Sequence, residues 1–166
     1  KISVIHNGYD DSDFQNITVS VPQRFTISFT GTLSESYPLT GFAEAVKSIL
    51  EKGQDLLALF TGAVSDLQRQ QLINYLGSDH LEFIRYTDHH TVIVQMISSS
   101  ILLLVIAQHK DNSSFLSGKL FEYIASGRPI LCLGPVEGDA SRILEHHNYG
   151  KCFDYSDTGG IESFIS

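Results

Sequence analysis

From Arg24 onward, short apolar runs alternate with longer segments in which apolar residues recur every three or four positions. RFTISFTG (Arg24 to Gly31) ends on glycine, and LTGFAEAVKSILEKG (Leu39 to Gly53) follows with Phe42, Ala43, Val46, Ile49 and Leu50 on one helical face. The pair predicts a strand and an amphipathic helix, with Gly53 suited to the helix C-cap. The cycle repeats with DLLALFTG as a strand, SDLQRQQLINYLG as a helix capped by Ser65, and LEFIRY as a strand. Next come DHHTVIVQMISSS as a helix, ILLLVIA as a strand, GKLFEYIASG as a helix and RPILCLG as a strand. GDASRILEHHNYG then predicts a helix, KCFDY a short sixth strand, and GGIESFIS a last helix truncated by the chain end.

Near-continuous apolar strands such as ILLLVIA and PILCLG suit a sheet covered on both faces. The expected fold is therefore α/β: a doubly wound, mostly parallel six-stranded sheet with helices on both faces, Rossmann-like. Ligands of such sheets bind beyond the carboxyl ends of the strands. That rule singles out Gly31-Thr32, Thr61-Gly62, Arg85-Tyr86, the loop Gln108 to Gly118, and Gly134 to Gly138.

Composition narrows the ligand. The 166 residues fit one domain. The 11 Lys and Arg against 19 Asp and Glu give a net charge of -8, which argues against a broad nucleic-acid surface, so any phosphate must be held locally. Cys132 and Cys152 lie in apolar runs without CxxC spacing, which predicts buried free thiols and a reducing compartment. The longest apolar run, Ile101 to Ala107, is too short to span a bilayer. The chain opens without Met on KISVIHNGYD and reads as a piece of a longer protein.

The loop QHKDNSSFLSG leads from the most buried strand into a helix that starts near Gly118. Free amides and the positive end of the helix dipole favour an anion there, and Lys119 adds a point charge. An ordinary loop capped by Ser117, with a solvated Lys119, fits the same residues. Glu122, one turn into the helix, is either a carboxylate stabilised by the dipole or an acceptor for a ribose diol. SGRPIL is explained by structure alone, as a helix end at Gly127 followed by a strand start. GTLSESY is not GxGxxG and has no acidic partner some 20 residues on, so the dinucleotide fingerprint is absent. Neither a G-x-S-x-G elbow nor a P-loop occurs, and the pairs His89-His90 and His146-His147 lack metal-ligand spacing.

Taken in order, VIHNGYDDSDF, ISFTGTL, LALFTG, LEFIRYTDHHTVIVQM, ILLLVI, SGKLFEYIASGRPILCLG and EGDASRIL resemble the C-terminal, nucleotide-sugar-binding domain of group 1 (family 4) glycosyltransferases of the GT-B fold. The segment Lys119 to Ile130 is the most specific part. The resemblance implies metal-independent transfer of a sugar from a nucleotide diphosphate donor to an acceptor, usually with retention, and no cofactor. It assigns residues 1-20 to a connecting segment and 21-166 to the donor-binding domain, with an N-terminal acceptor domain missing. It implies a cytoplasmic protein that meets the inner membrane face only through that missing domain.

By the same resemblance Glu122 accepts hydrogen bonds from the ribose, while Ser117, Gly118, Lys119 and Leu120 offer backbone N–H groups to the diphosphate. Lys119 and Glu122 are the residues closest to the chemistry. Gly31 and Thr32 line the phosphate side, and the backbone around Arg85 and Tyr86 holds the base. Two departures stand out. Many members carry a second carboxylate eight positions before the ribose-binding one, where this chain has Ser114. They also tend to carry Arg and Lys soon after the first strand, where this chain has no cation before Lys47. Lys119 or backbone alone is then left to meet the phosphates. The fragment should bind donor without transferring it. A GT-B nucleotide-sugar epimerase domain and a flavodoxin-like binding module are the alternatives.

Overall fold

A computed structural model describes residues 8-15, 17 and 24-166. His6 and most of the expected connecting segment before Arg24 lie outside them. The described segment around Asp10 forms a short 3-10 turn, Asp11–Phe14, capped by the Asp10 carboxylate, which accepts from the Ser12 N–H. Phe14 and Ile17 pack against the domain, and His89 Nε2 lies 3.0 Å from Asp13 Oδ2.

Six strands, β1 (Phe25–Thr30), β2 (Leu56–Thr61), β3 (Leu81–Ile84), β4 (Ile101–Val105), β5 (Ile130–Leu133) and β6 (Gly150–Phe153), form one sheet. Their order is β3-β2-β1-β4-β5-β6, and every neighbouring pair is parallel. The sheet is thus fully parallel, where the sequence predicted mostly parallel. Six helices connect or follow the strands: α1 (Thr40–Glu51), α2 (Asp66–Leu76), α3 (His89–Ser98), α4 (Gly118–Ala125), α5 (Asp139–His146) and α6 (Thr158–Ile165). Caps set several boundaries as the sequence predicts. Ser65 accepts from the Gln68 N–H, and Gly53 takes a positive φ of 85° just past the capping Lys52.

The alternation of strand side chains divides the core in two. Ile27 and Phe29 of β1, Leu103 and Val105 of β4, and Leu131 and Leu133 of β5 pack with α1, α2 and α6. The intervening Leu102, Leu104, Ile130, Cys132 and Cys152 pack with α3, α4 and α5. Helices therefore cover both faces. β1 departs from the apolar rule, because its second face is Thr26, Ser28 and Thr30, all buried. Those groups are satisfied locally: Ser99 Oγ donates to Ser28 Oγ at 2.7 Å, and the Thr26 N–H donates to Ser100 Oγ at 3.1 Å.

The strand order reverses between β1 and β4, and there the two strands share only the register pairs Ile27↔Ile101 and Ser28↔Leu102. The helices that follow the two strands pack on opposite faces, α1 in one half of the core and α4 in the other. This opens a crevice at the switch point, the place where such sheets hold ligands.

Candidate functional site

At the carboxyl end of this sheet lies a cavity of about 190 Å³ lined by Thr30, Gly31, Thr61, Gly62, Tyr86, Thr87, Val92, Met96, Lys119 and Glu122. Its walls come from the ends of β1, β2 and β3, one face of α3 and the first turn of α4. A larger hollow, about 760 Å³, lies at the amino ends of β5 and β6 around Arg128, Asn148 and Lys151, away from the crevice that the strand order opens.

Two glycines let the floor close up. The sheet bonding continues through them, with the Gly31 N–H donating to Thr61 O at 2.7 Å and the Gly62 N–H to Ile84 O at 2.9 Å. Gly31 has φ 115° and Gly62 φ 120°, a region that side-chain-bearing residues avoid. A Cβ at Gly62 would strike the carbonyl oxygen of Gly31, and one at Gly31 would strike the end of the Lys119 side chain. The Lys119 ammonium thus lies directly over bare backbone.

Lys119 reaches this position from α4, and its Nζ sits 4.8 Å from the centroid of the Phe29 ring. Burial lowers its pKa from the ordinary lysine value, and the negative Glu122 nearby acts in the opposite direction. Lys119 forms no salt bridge among the described residues. Glu122 is half-buried and likewise forms no salt bridge there. A desolvated cation and a carboxylate therefore face one cavity with their strongest interactions unused, which suits a ligand offering both negative charge and hydroxyl donors.

The other residues singled out in the sequence are distributed more unevenly. Ser117 caps α4, its Oγ accepting from the Lys119 N–H at 3.2 Å, while its carbonyl accepts from the Leu120 N–H at 3.1 Å. The Lys119 and Leu120 amides are therefore engaged within the cap. The Leu120 side chain is fully buried in the core beneath. Thr32 and Arg85 are exposed outside the cavity lining, and Tyr86 is 92% exposed at its rim. Ser114 is exposed in the loop between β4 and α4.

The loop after β1 is held by neutral groups. Gln68 Nε2 donates to Tyr37 O at 2.7 Å and Ser34 O at 3.2 Å, and the Gln108 N–H donates to Ser36 O at 2.8 Å. Sequence reasoning missed the contribution of α3. Val92 and Met96 line the cavity, and Gln95 Oε1 accepts from Thr61 Oγ1 at 2.6 Å. Their spacing marks them only as helix-face residues, with no signal of a cavity. Among the described residues, no group of three or more His, Cys, Asp or Glu is placed to hold a metal ion, and no helix is long and apolar enough to cross a membrane.

Comparison of the sequence with protein-family models and with curated proteins returned no match. Solved structures do match. The C-terminal domain of the glycosyl transferase group 1 family protein LpcC from Francisella tularensis superposes with a TM-score of 0.64 at 16% identity, over 86% of this chain and 74% of that one. Anabaena HepE, solved with UDP and glucose, gives a TM-score of 0.70 at 16% identity, over 98% of this chain and 46% of HepE. The pneumococcal O-GlcNAc transferase GtfA, solved with UDP and GlcNAc, gives 0.65 at 15% identity over 87% of this chain and 29% of GtfA. This chain accordingly spans less than half the length of the latter two. At these identities the likeness establishes the fold: a Rossmann-like domain of the kind that forms the C-terminal half of GT-B glycosyltransferases.

Proposed function

We propose that this chain is the donor-binding domain of a glycosyltransferase, and that the crevice between β1 and α4 holds the nucleotide diphosphate of a sugar donor. One observation carries the reading: a desolvated Lys119 ammonium and the Glu122 carboxylate, neither with a salt bridge among the described residues, share a cavity floored by the Gly31 and Gly62 backbone. The presence of UDP in the HepE and GtfA structures supports the choice of ligand class.

In this reading Lys119 meets the diphosphate and opposes the charge that develops on it as the sugar departs, joined by the amides of Ser117 and Gly118. A fixed cation in a water-poor site stabilises such a leaving group without reorganising. Glu122 accepts from the ribose hydroxyls, the Gly31-Thr32 backbone borders the phosphates, and the backbone at Arg85 and Tyr86 meets the base. Transfer proceeds without a metal and with retention. An acceptor-binding domain completes the site in the longer protein, so the isolated chain binds donor without turnover.

Calorimetry with the diphosphates of uridine, guanosine, adenosine, cytidine and thymidine tests the reading. At least one binds, and Glu122→Gln weakens it by roughly 1.5 to 3 kcal/mol, the worth of a hydrogen bond to a charged group. Binding of none of the five, or unchanged affinity in a folded Glu122→Gln protein, overturns it.

A further inference from the structure

The end of β1 has a hydrogen-bonding problem that the sheet does not solve. The Gly31 N–H is turned toward β2, where it donates to Thr61 O. By the alternation of strand amides the Thr30 N–H faces β4. The register with β4 has already ended at Ser28↔Leu102, and Thr30 is only 4% exposed. An amide left there without a partner would carry its full desolvation penalty.

The partner comes from α4. Tyr123 Oη accepts from the Thr30 N–H at 3.0 Å and lies 3.2 Å from Thr30 Oγ1. Tyr123 is fully buried, and burial pushes its phenol up to about 12, so the hydroxyl stays neutral at physiological pH. The bond joins the two walls of the crevice. On β1 it fixes the residue before Gly31, and on α4 the residue after Glu122, one turn beyond Lys119.

We infer that Tyr123 is a positioning residue for the nucleotide site, its hydroxyl replacing the missing strand partner of Thr30 and thereby setting the distance between the Gly31 backbone and the Lys119-Glu122 face of α4. The inference rests on the reading of the crevice as a nucleotide diphosphate site. It is distinct from a packing role, because the ring alone fills the core and the hydroxyl alone makes the tie.

Tyr123→Phe keeps the ring and removes the tie. Two measurements on this variant and the unmodified chain decide the matter. Amide hydrogen exchange by NMR without ligand reads the Thr30 N–H, whose protection falls in the variant. NMR titration with UDP and with uridine reads the site: UDP weakens severalfold, up to roughly the tenfold ceiling set by one neutral hydrogen bond between the two walls, while uridine, which lacks the phosphates, changes less than about twofold. A tyrosine that merely stabilises the fold would lower the melting temperature and leave the UDP affinity of the folded protein unchanged. Unchanged Thr30 protection or unchanged UDP affinity overturns the inference alone. Failure of the unmodified chain to bind any of the five nucleoside diphosphates overturns the reading of the site, and this inference with it; where another of the five binds in place of UDP, it and its nucleoside form the titration pair.

Discussion

Gly31→Ala separates what the turn after β1 does for stability from what it does for binding. The backbone at Gly31 has φ 115°, so any side chain there holds the chain in a sparsely populated region at a cost of roughly 1 to 3 kcal/mol. The new methyl also falls on the ammonium end of Lys119. A flexible side-chain end yields cheaply, and the loss of its contact with the Phe29 ring adds about 0.5 to 1 kcal/mol. Stability should therefore drop by roughly 1.5 to 4 kcal/mol, most of it from the backbone. Binding should suffer for a different reason: the ammonium no longer lies over the crevice floor, and a charge-assisted contact worth roughly 1.5 to 3 kcal/mol is lost.

A double-mutant cycle with Lys119→Ala isolates the two effects. Urea denaturation gives the stability of each variant, and calorimetry with the tightest-binding nucleoside diphosphate gives the affinity. In the Lys119→Ala background the methyl has no ammonium to displace. Gly31→Ala should then still cost the backbone strain, but should weaken the ligand by less than about 0.5 kcal/mol, the usual limit of additivity. Equal weakening in both backgrounds would place the methyl against the ligand itself and refute the assignment of Lys119.

Two further outcomes follow from the buried groups. A bound diphosphate should restore the Lys119 pKa that burial lowers, so above the titration of the ligand's own terminal phosphate, roughly pH 6, affinity is constant up to the free-state lysine pKa and falls as pH rises through it. Above that pKa binding takes up a proton, which calorimetry detects as a binding enthalpy that varies with buffer, and pH-independent affinity across the alkaline range would refute this. Cys132 and Cys152, paired across β5 and β6 with their sulfurs 3.3 Å apart, are buried, and the Cys132 thiol is pushed well up by its bond to Cys152 and by burial. Both should resist an aromatic disulfide reagent in the native protein and react on denaturation; rapid native labelling would contradict their placement.

Periodicity recovered the six strands and six helices of the described residues because nearly all carry core residues, β3 contributing only the half-buried Leu81 and Phe83, and the fully buried β4 and β5 are the easiest to read. The 3-10 turns Asp11–Phe14 and Ser78–His80 went unpredicted, being too short for a period and built from Asp and Ser, which bond locally. Strand order was also beyond reach in the residues themselves, since the adjacency of β1 and β4 is set by crossovers and not by any local pattern. Lys119 and Glu122 stood out because a helix start after a buried strand is a recognisable setting for an anion. The walls supplied by Val92 and Met96 depend on where α3 lands, so nothing local marks them.

The least legible feature is the polar face of β1. Phe-Thr-Ile-Ser-Phe-Thr alternates like a half-exposed edge strand, yet β1 is central and its hydroxyls are buried. The signal that the polar face of β1 is buried lies elsewhere in the chain. On α4 the core-facing positions Leu120 and Tyr123 are three apart, and a tyrosine fully buried on such a face needs a partner for its hydroxyl. Just past α3, Ser99 Oγ donates to Ser28 Oγ and Ser100 Oγ accepts from the Thr26 N–H, while the Thr26 hydroxyl donates to Arg24 O. The underside of the crevice is satisfied by these bonds, while the Lys119 and Glu122 charges above it have no salt-bridge partners among the described residues. That contrast separates polarity that the fold satisfies from polarity left facing the cavity, and it supports the proposed pairing of Glu122 with the ligand.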